Sequence, residues 1–396
     1  MYEIIKELET EFKSHVFPFW MNLLDREQGG YYGEVDFNLN LKKDAVKGCI
    51  LNSRILWTFS NAYLTLGDEK YLPYAKQAYD FLRSAFLDPE YGGVYWSVDA
   101  KGQPSDTTKH TYNQAFAIYG LSSYYAASGD EEALTTARQL MQVIETRCRD
   151  EGGYLEAFTR DFGPESNEKL SENGVMADRT MNTLLHVMEA YTELHRVAPT
   201  DATRDRLQEI LLLFKNKLFN PELGRLEVFF DSEYNSLIDL HSYGHDIEAA
   251  WLIDRTVEVL GAEGTIYDLS RLTGILTRKI YDTAFDGHSL PAECEKGKVL
   301  ETRVWWVECE AIIGFLNGWQ KSGAEDVKKE EYLKAALAVW EYTKEYIIDR
   351  REGSCWYAEV AADGTPDPKK CIADAWTCPY HNGRMYFEVL KRLGEQ

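Results

Sequence analysis

No apolar run approaches eighteen residues, which excludes a helix that spans a membrane. CxxC pairs are missing as well. The seven cysteines, an odd number scattered from Cys49 to Cys378, suggest neither a disulfide framework nor a zinc knuckle and read as reduced thiols. Positive charge is scarce: 43 Lys and Arg stand against 65 Asp and Glu, a formal net charge of −22 that repels a phosphate backbone. With no Lys/Arg stripe interleaved with aromatics, nucleic acid is not an expected partner. The opening MYEIIKELETEFKSHVFPFW carries acids among its apolar residues and lacks a basic region followed by an apolar block. It therefore does not read as a secretory leader, and a cytoplasmic location without membrane attachment is expected.

What the chain does have is aromatic side chains, 13% of all residues, with 25 Tyr and 10 Trp. Most of these flat rings serve a core, and a few could stack on sugar faces. A length of 396 residues permits two or three domains. An internal repeat argues instead for one domain over 1–396. A glycine-containing turn, in four cases followed by an aromatic, recurs at Gly29-Gly30-Tyr31, Gly92-Gly93, Gly152-Gly153-Tyr154, Gly224-Arg225-Leu226, Gly287-His288 and Gly353-Ser354, at intervals of 60 to 72 residues. About six units of that length suggest a closed array rather than an open solenoid.

Between the turns the apolar spacing is helical, as in Tyr112, Phe116, Tyr119 or Leu333, Ala336, Leu337, Trp340. Polar opening turns at Asp68, Asp130 and Thr200 mark helix starts. The pattern predicts twelve helices, over 2–18, 48–65, 68–86, 109–127, 130–147, 176–197, 202–219, 240–261, 265–284, 302–323, 329–348 and 377–393. Strands are brief and confined to short hairpin loops. Helices beginning near 48, 109, 176, 240, 302 and 377 form an inner ring and the others an outer ring, an all-α (α/α)6 barrel with one helix pair split between the termini.

Chemistry-bearing side chains concentrate at the starts of the proposed inner helices: Arg54, Tyr112, Asn182 with His186, His245 with Glu248, Arg303 to Glu308, and His381 with Arg384. Parallel inner helices bring their positive ends to one shared mouth. Within His241-Ser242-Tyr243-Gly244-His245-Asp246-Ile247-Glu248, the residues His241, His245 and Glu248 fall at i, i+4 and i+7, so the carboxylate could orient an imidazole and make it a base. The same three side chains could instead bind zinc or iron, or either His could be only a hydrogen-bonded barrel residue. His381, after Pro379, faces the mouth on this scheme or is a satisfied structural histidine. Of the adjacent Trp305 and Trp306, at most one points straight inward. The one near the cleft suits stacking on a pyranose.

At these positions the chain resembles the cellobiose 2-epimerases of the N-acylglucosamine 2-epimerase superfamily along nearly its whole length. The strings that carry the resemblance are Lys47-Gly48-Cys49-Ile50-Leu51-Asn52-Ser53-Arg54, Lys109-His110-Thr111-Tyr112-Asn113, Leu170-Ser171-Glu172-Asn173-Gly174, Ser242-Tyr243-Gly244-His245-Asp246-Ile247-Glu248, Arg303-Val304-Trp305-Trp306 and Cys378-Pro379-Tyr380-His381-Asn382-Gly383-Arg384. The resemblance implies an (α/α)6-barrel isomerase, without metal or organic cofactor, that epimerises C2 of the reducing glucose in β-1,4-linked disaccharides such as cellobiose and lactose; a disaccharide is the expected partner, and the chain is expected to be a monomer. It implies His245 and His381 as the pair exchanging the C2 proton, with Glu248 orienting His245. Arg54 and His186 would meet the carbonyl-end oxygens, while Tyr112 and Asn182 hold the reacting sugar. Trp305, Trp306 and Trp376 supply the stacking surfaces, and Asn173 and Glu308 further substrate contacts. The alternatives are an aldose–ketose isomerase of the same superfamily, a glycoside hydrolase using carboxylates such as Glu172, Glu248 and Glu308, and a carbohydrate-binding protein without catalysis.

Overall fold

The computed structural model describes residues 2–171, 173–323 and 326–394. Glu172, one of the carboxylates considered above, lies outside them. In chain order the long helices are α1 (2–22), α2 (Cys49–Leu66), α3 (69–86), α4 (Thr111–Ser128), α5 (Glu131–Arg147), α6 (Met181–Val197), α7 (201–218), α8 (Tyr243–Leu260), α9 (Ser270–Thr283), α10 (Trp305–Lys321), α11 (329–347) and α12 (Tyr380–Gly394). A separate single turn, Ala262–Thr265, precedes α9. All twelve expected helices are present.

Helices α2, α4, α6, α8, α10 and α12 contact one another in that order, and α12 returns to α2, so the inner ring closes. Each of α3, α5, α7, α9 and α11 packs on the inner helix before it, and α1 packs on α12. Burial follows from these positions. In α4 every residue from Thr111 to Tyr124 is buried, because an inner helix is covered on all sides. The outer α5 buries Ala133, Leu134, Ala137, Leu140, Met141 and Ile144, a single stripe at helical spacing. Asp130 and Thr200 cap α5 and α7 as their sequence suggests, Asp130 accepting from the backbone N–H of Glu132 and Ala133. None of the described helices is long and apolar enough to cross a membrane.

A rim of short strand pairs stands at the N-terminal ends of the inner helices. The residues before α2, α4, α6, α8 and α10 pair antiparallel with 97–98, 157–158, 229–230, 293–295 and 359–360, and Ala373 bridges Val35. The glycine turns are tied to the inner ring by a repeated device. The fourth residue of four inner helices, Asn52, Gln114, Asp246 and Glu308, accepts the backbone N–H of Tyr31, Val94, Leu226 and Leu290 respectively. Gly30 shows why such a turn needs glycine: its φ is +67°, and a Cβ there would stand 2.3 Å from Phe81.

Candidate active site

Because the inner helices share one register, their side chains form tiers. The sixth residues are Arg54, Phe116, His186, Glu248, Glu310 and Met385, and the second residues include Tyr112, Asn182, Trp306 and His381. Residues four apart lie on one helix face, so both tiers point into the barrel. Contacts confirm the convergence. Arg54 Nη2 donates to the Tyr112 hydroxyl at 2.9 Å, and the Tyr112 ring stands 5.1 Å from His186. The Trp306 indole packs against both His245 and His381, at 4.8 and 5.4 Å between ring centroids. Gly244 makes that approach possible, since a Cβ there would lie 2.6 Å from Trp306.

The two histidines expected to be bases have different supports. His245 Nδ1 is 2.7 Å from the Ser242 hydroxyl. His381 Nδ1 is 2.7 Å from Glu310 Oε1, whose other oxygen accepts the Trp251 indole N–H. Burial, and then the nearby His186, hold His245 down to about 3, and burial with the Arg384 and Arg54 guanidiniums holds His381 well below the usual imidazole range. Both shifts favour the neutral ring, the form in which an imidazole can take a proton.

Beneath them Arg384 is the shared cation of three buried carboxylates: it donates to Glu189, Glu248 and Glu310 and lies over the Trp251 ring. One guanidinium is not enough for three ionised groups. Burial and the neighbouring Glu310 raise Glu248 to about 7, and burial likewise raises Glu310 against the pull of Arg384. Glu189 behaves differently: burial would raise it, yet Arg384 and His186 bring it to about 2. Arg54 pairs with no carboxylate among the described residues and lies over Phe116 at 4.2 Å, so no ion pair neutralises its charge. The Asn182 side-chain oxygen is buried and bonds to none of the described residues.

Several expectations need correction. Glu248 does not orient His245: its Oε1 accepts from Arg384, and Ser242 fills the place beside His245. His241 is not on the helix face at all. It lies in the strand before α8 and bonds Asp246 at 2.9 Å, so the trio considered for zinc or iron is not assembled. Glu248, Glu310 and His381 do offer ligand atoms within 4.8 Å of one another, but the Arg384 guanidinium already bonds both carboxylates. Glu308, expected at the substrate, is a turn anchor bonded to the Leu290 backbone N–H. Asn173, likewise expected there, is exposed and donates to Glu293 and Glu295 of the rim, with no bond to the imidazole cluster. Trp305 is buried edge-on behind His381 at 5.6 Å, leaving Trp306 as the cleft-facing indole. Trp376 is 40% exposed at the mouth, 6.1 Å from both Tyr112 and Trp96.

Glu310, Glu189 and Tyr380 join the site as well, Glu189 and Tyr380 without a signal in the spacing of the inner-helix starts. Glu310 was within reach of the sequence, because it holds in α10 the rank that Glu248 holds in α8. Glu189 and Tyr380 meet only through a contact 191 positions apart, which no local spacing reveals.

The sequence profile of the N-acylglucosamine 2-epimerase (GlcNAc 2-epimerase) family matches residues 30–382. A cellobiose 2-epimerase of Ruminococcus albus is 49% identical, covering 98% of this chain and 99% of its own. One from Eubacterium cellulosolvens is 49% identical, with 98% of each chain covered. The solved cellobiose 2-epimerase of Bacillus thermoamylovorans superposes with a TM-score of 0.94 at 46% identity, over 99% of this chain and 100% of that one. A D-mannose isomerase structure shares the fold at 19% identity, with a TM-score of 0.81 over 98% of this chain and 97% of its own.

Proposed function

Because the chain belongs to the N-acylglucosamine 2-epimerase family, we propose that it is an isomerase that inverts C2 of the reducing-end glucose of β-1,4-linked disaccharides, turning cellobiose into glucosyl-mannose and lactose into epilactose. The observation that carries this reading is the pair of imidazoles, His245 and His381, packed on one indole, in the same barrel end as a guanidinium that no carboxylate of the described residues pairs with.

The chemistry needs those groups. Once the pyranose has opened to its aldehyde, one imidazole takes the C2 proton. The C–H electron pair becomes the C1–C2 double bond, and the carbonyl pair moves onto O1 as an enediolate. Arg54, with its charge uncommitted, faces that developing oxyanion together with His186, and preorganised donors lower its energy. The second ring, which enters this step as the imidazolium, gives its proton to the opposite face of C2 and becomes neutral; the carbonyl reforms, the ring closes on the epimer, and the first imidazolium releases its proton to solvent before the next turnover. Trp306 and Trp376 offer apolar faces to the two sugar rings, while Tyr112 and Asn182 hold the reacting one.

Incubation with cellobiose in D2O tests the proposal. It expects glucosyl-mannose carrying deuterium at C2. A ketose product would favour aldose–ketose isomerisation, released glucose would favour hydrolysis, and unchanged, unlabelled cellobiose would leave only binding.

A further inference from the structure

His186 has a protonation geometry that the surrounding atoms determine. Its Nδ1 lies 2.9 Å from Glu189 Oε2, which the Tyr380 hydroxyl also reaches at 2.5 Å. Glu189 Oε1 accepts from Arg384 Nη1, and the same Nη1 donates to the Tyr380 oxygen. A guanidinium has only donors, so the Tyr380 hydroxyl hydrogen is turned away from it and onto Glu189. An ionised carboxylate has only lone pairs, so what His186 offers it must be N–H. Nε2, on the other side of the ring, bonds to none of the described residues, and the ring packs against Tyr112 and Phe116, at 5.1 and 4.8 Å between centroids.

We propose that Glu189 is the positioning residue of His186: it keeps a proton on Nδ1, so that Nε2 is always the nitrogen presented to the sugar, as an acceptor when the ring is neutral. This rests on the epimerase reading only in placing the sugar's carbonyl-end oxygens against His186. The ionised state of Glu189 agrees with it, since Arg384 and His186 overcome burial to hold that carboxyl near 2. The arrangement differs from that of His245, whose hydroxyl partner can donate or accept and leaves its tautomer open.

The substitution Glu189→Gln reverses the polarity of the contact with His186. The amide oxygen has to face Arg384, which can only donate, so the amide NH2 faces His186 and Tyr380. Nδ1 then becomes the acceptor and the proton moves to Nε2. Histidine-selective 15N NMR of the whole protein without sugar reads this directly, the His186 signals being those lost in His186→Gln. In the wild type the proposal expects Nδ1 protonated, whether the ring is neutral or cationic. It expects the same in Tyr380→Phe, where the carboxylate remains, and Nδ1 bare in Glu189→Gln. With cellobiose, Glu189→Gln is expected to lower kcat roughly 10²-fold with KM changed by less than about threefold. A bare Nδ1 in the wild type overturns the proposal even if the Gln variant does not fold, and so does a Gln variant that keeps the proton on Nδ1. Neither result touches the epimerase reading, which fails only on the product formed.

Discussion

The two imidazoles that share the Trp306 indole stand on unlike foundations. On one side His245 sits in the first turn of α8, its inner nitrogen against a serine hydroxyl from the preceding strand. On the other, His381 in α12 is backed by Glu310, which is in turn held by Trp251 and Arg384. A hydroxyl is a neutral partner that rotates to either role, whereas a carboxylate tied to a guanidinium is fixed in place and fixes the tautomer beside it. A reaction that takes a proton on one face and returns it on the other can use such asymmetry: the ring that gives the proton has to be an imidazolium, and on the His381 side that cation meets a stabilising carboxylate.

The sharpest way to break the comparison is to remove each ring. His245→Ala and His381→Ala are both expected to lose epimerase turnover by roughly 10³-fold or more while circular dichroism stays unchanged, and full activity in either variant would end that ring's assignment. Removing the supports instead of the rings separates the two sides. Glu310→Gln is expected to cost about 10²-fold in kcat, Ser242→Ala about tenfold or less, and equal losses would erase the asymmetry. Gly244→Ala places a methyl 2.6 Å from Trp306 and 2.8 Å from Val307, and the overpacking is expected to lower stability by about 1–3 kcal/mol, read as a fall in Tm.

The depressed titration of His245 has a linked signature. Its unfolded imidazole takes up a proton near 6.5, while the folded one refuses it until about 3. The wild type's stability relative to His245→Gln therefore falls as pH drops through that window, by at most about 1.4 kcal/mol per pH unit. Urea unfolding of both proteins at several pH values checks the sign, and a relative stability that rises toward acid would contradict it. The smallest effect belongs to Glu308→Gln. Its amide oxygen can still accept from Leu290, so kcat is expected to stay within about twofold, as suits a turn anchor outside the cleft.

Much of this architecture was legible from spacing alone. The expected helices 48–65 and 130–147 match Cys49–Leu66 and Glu131–Arg147, because Gly67 ends one and Asp130 opens the other. Starts placed at 176, 240, 302 and 377 fall three to five residues early against Met181, Tyr243, Trp305 and Tyr380. The residues just before the third to fifth inner helices pair in strands contributed from about 50 positions downstream, a partnership that helical periodicity does not report. The site divided in the same way. Arg54, Tyr112, His186, His245 and His381 converge because each sits early in an inner helix. The pairing of Glu248 with His245 failed because local proximity on α8 gives way to a buried charge: the carboxylate goes to Arg384, 136 positions away, where its burial is compensated.

If two bases flank one carbon from opposite faces, hydrogen exchange in the single-ring variants reports each face separately. With cellobiose and with glucosyl-mannose in D2O, His245→Ala and His381→Ala should each exchange the C2 hydrogen of only one epimer, a different one for each variant, and neither should interconvert the two. Exchange of the same epimer by both variants, or epimerisation retained by either, would contradict the claim.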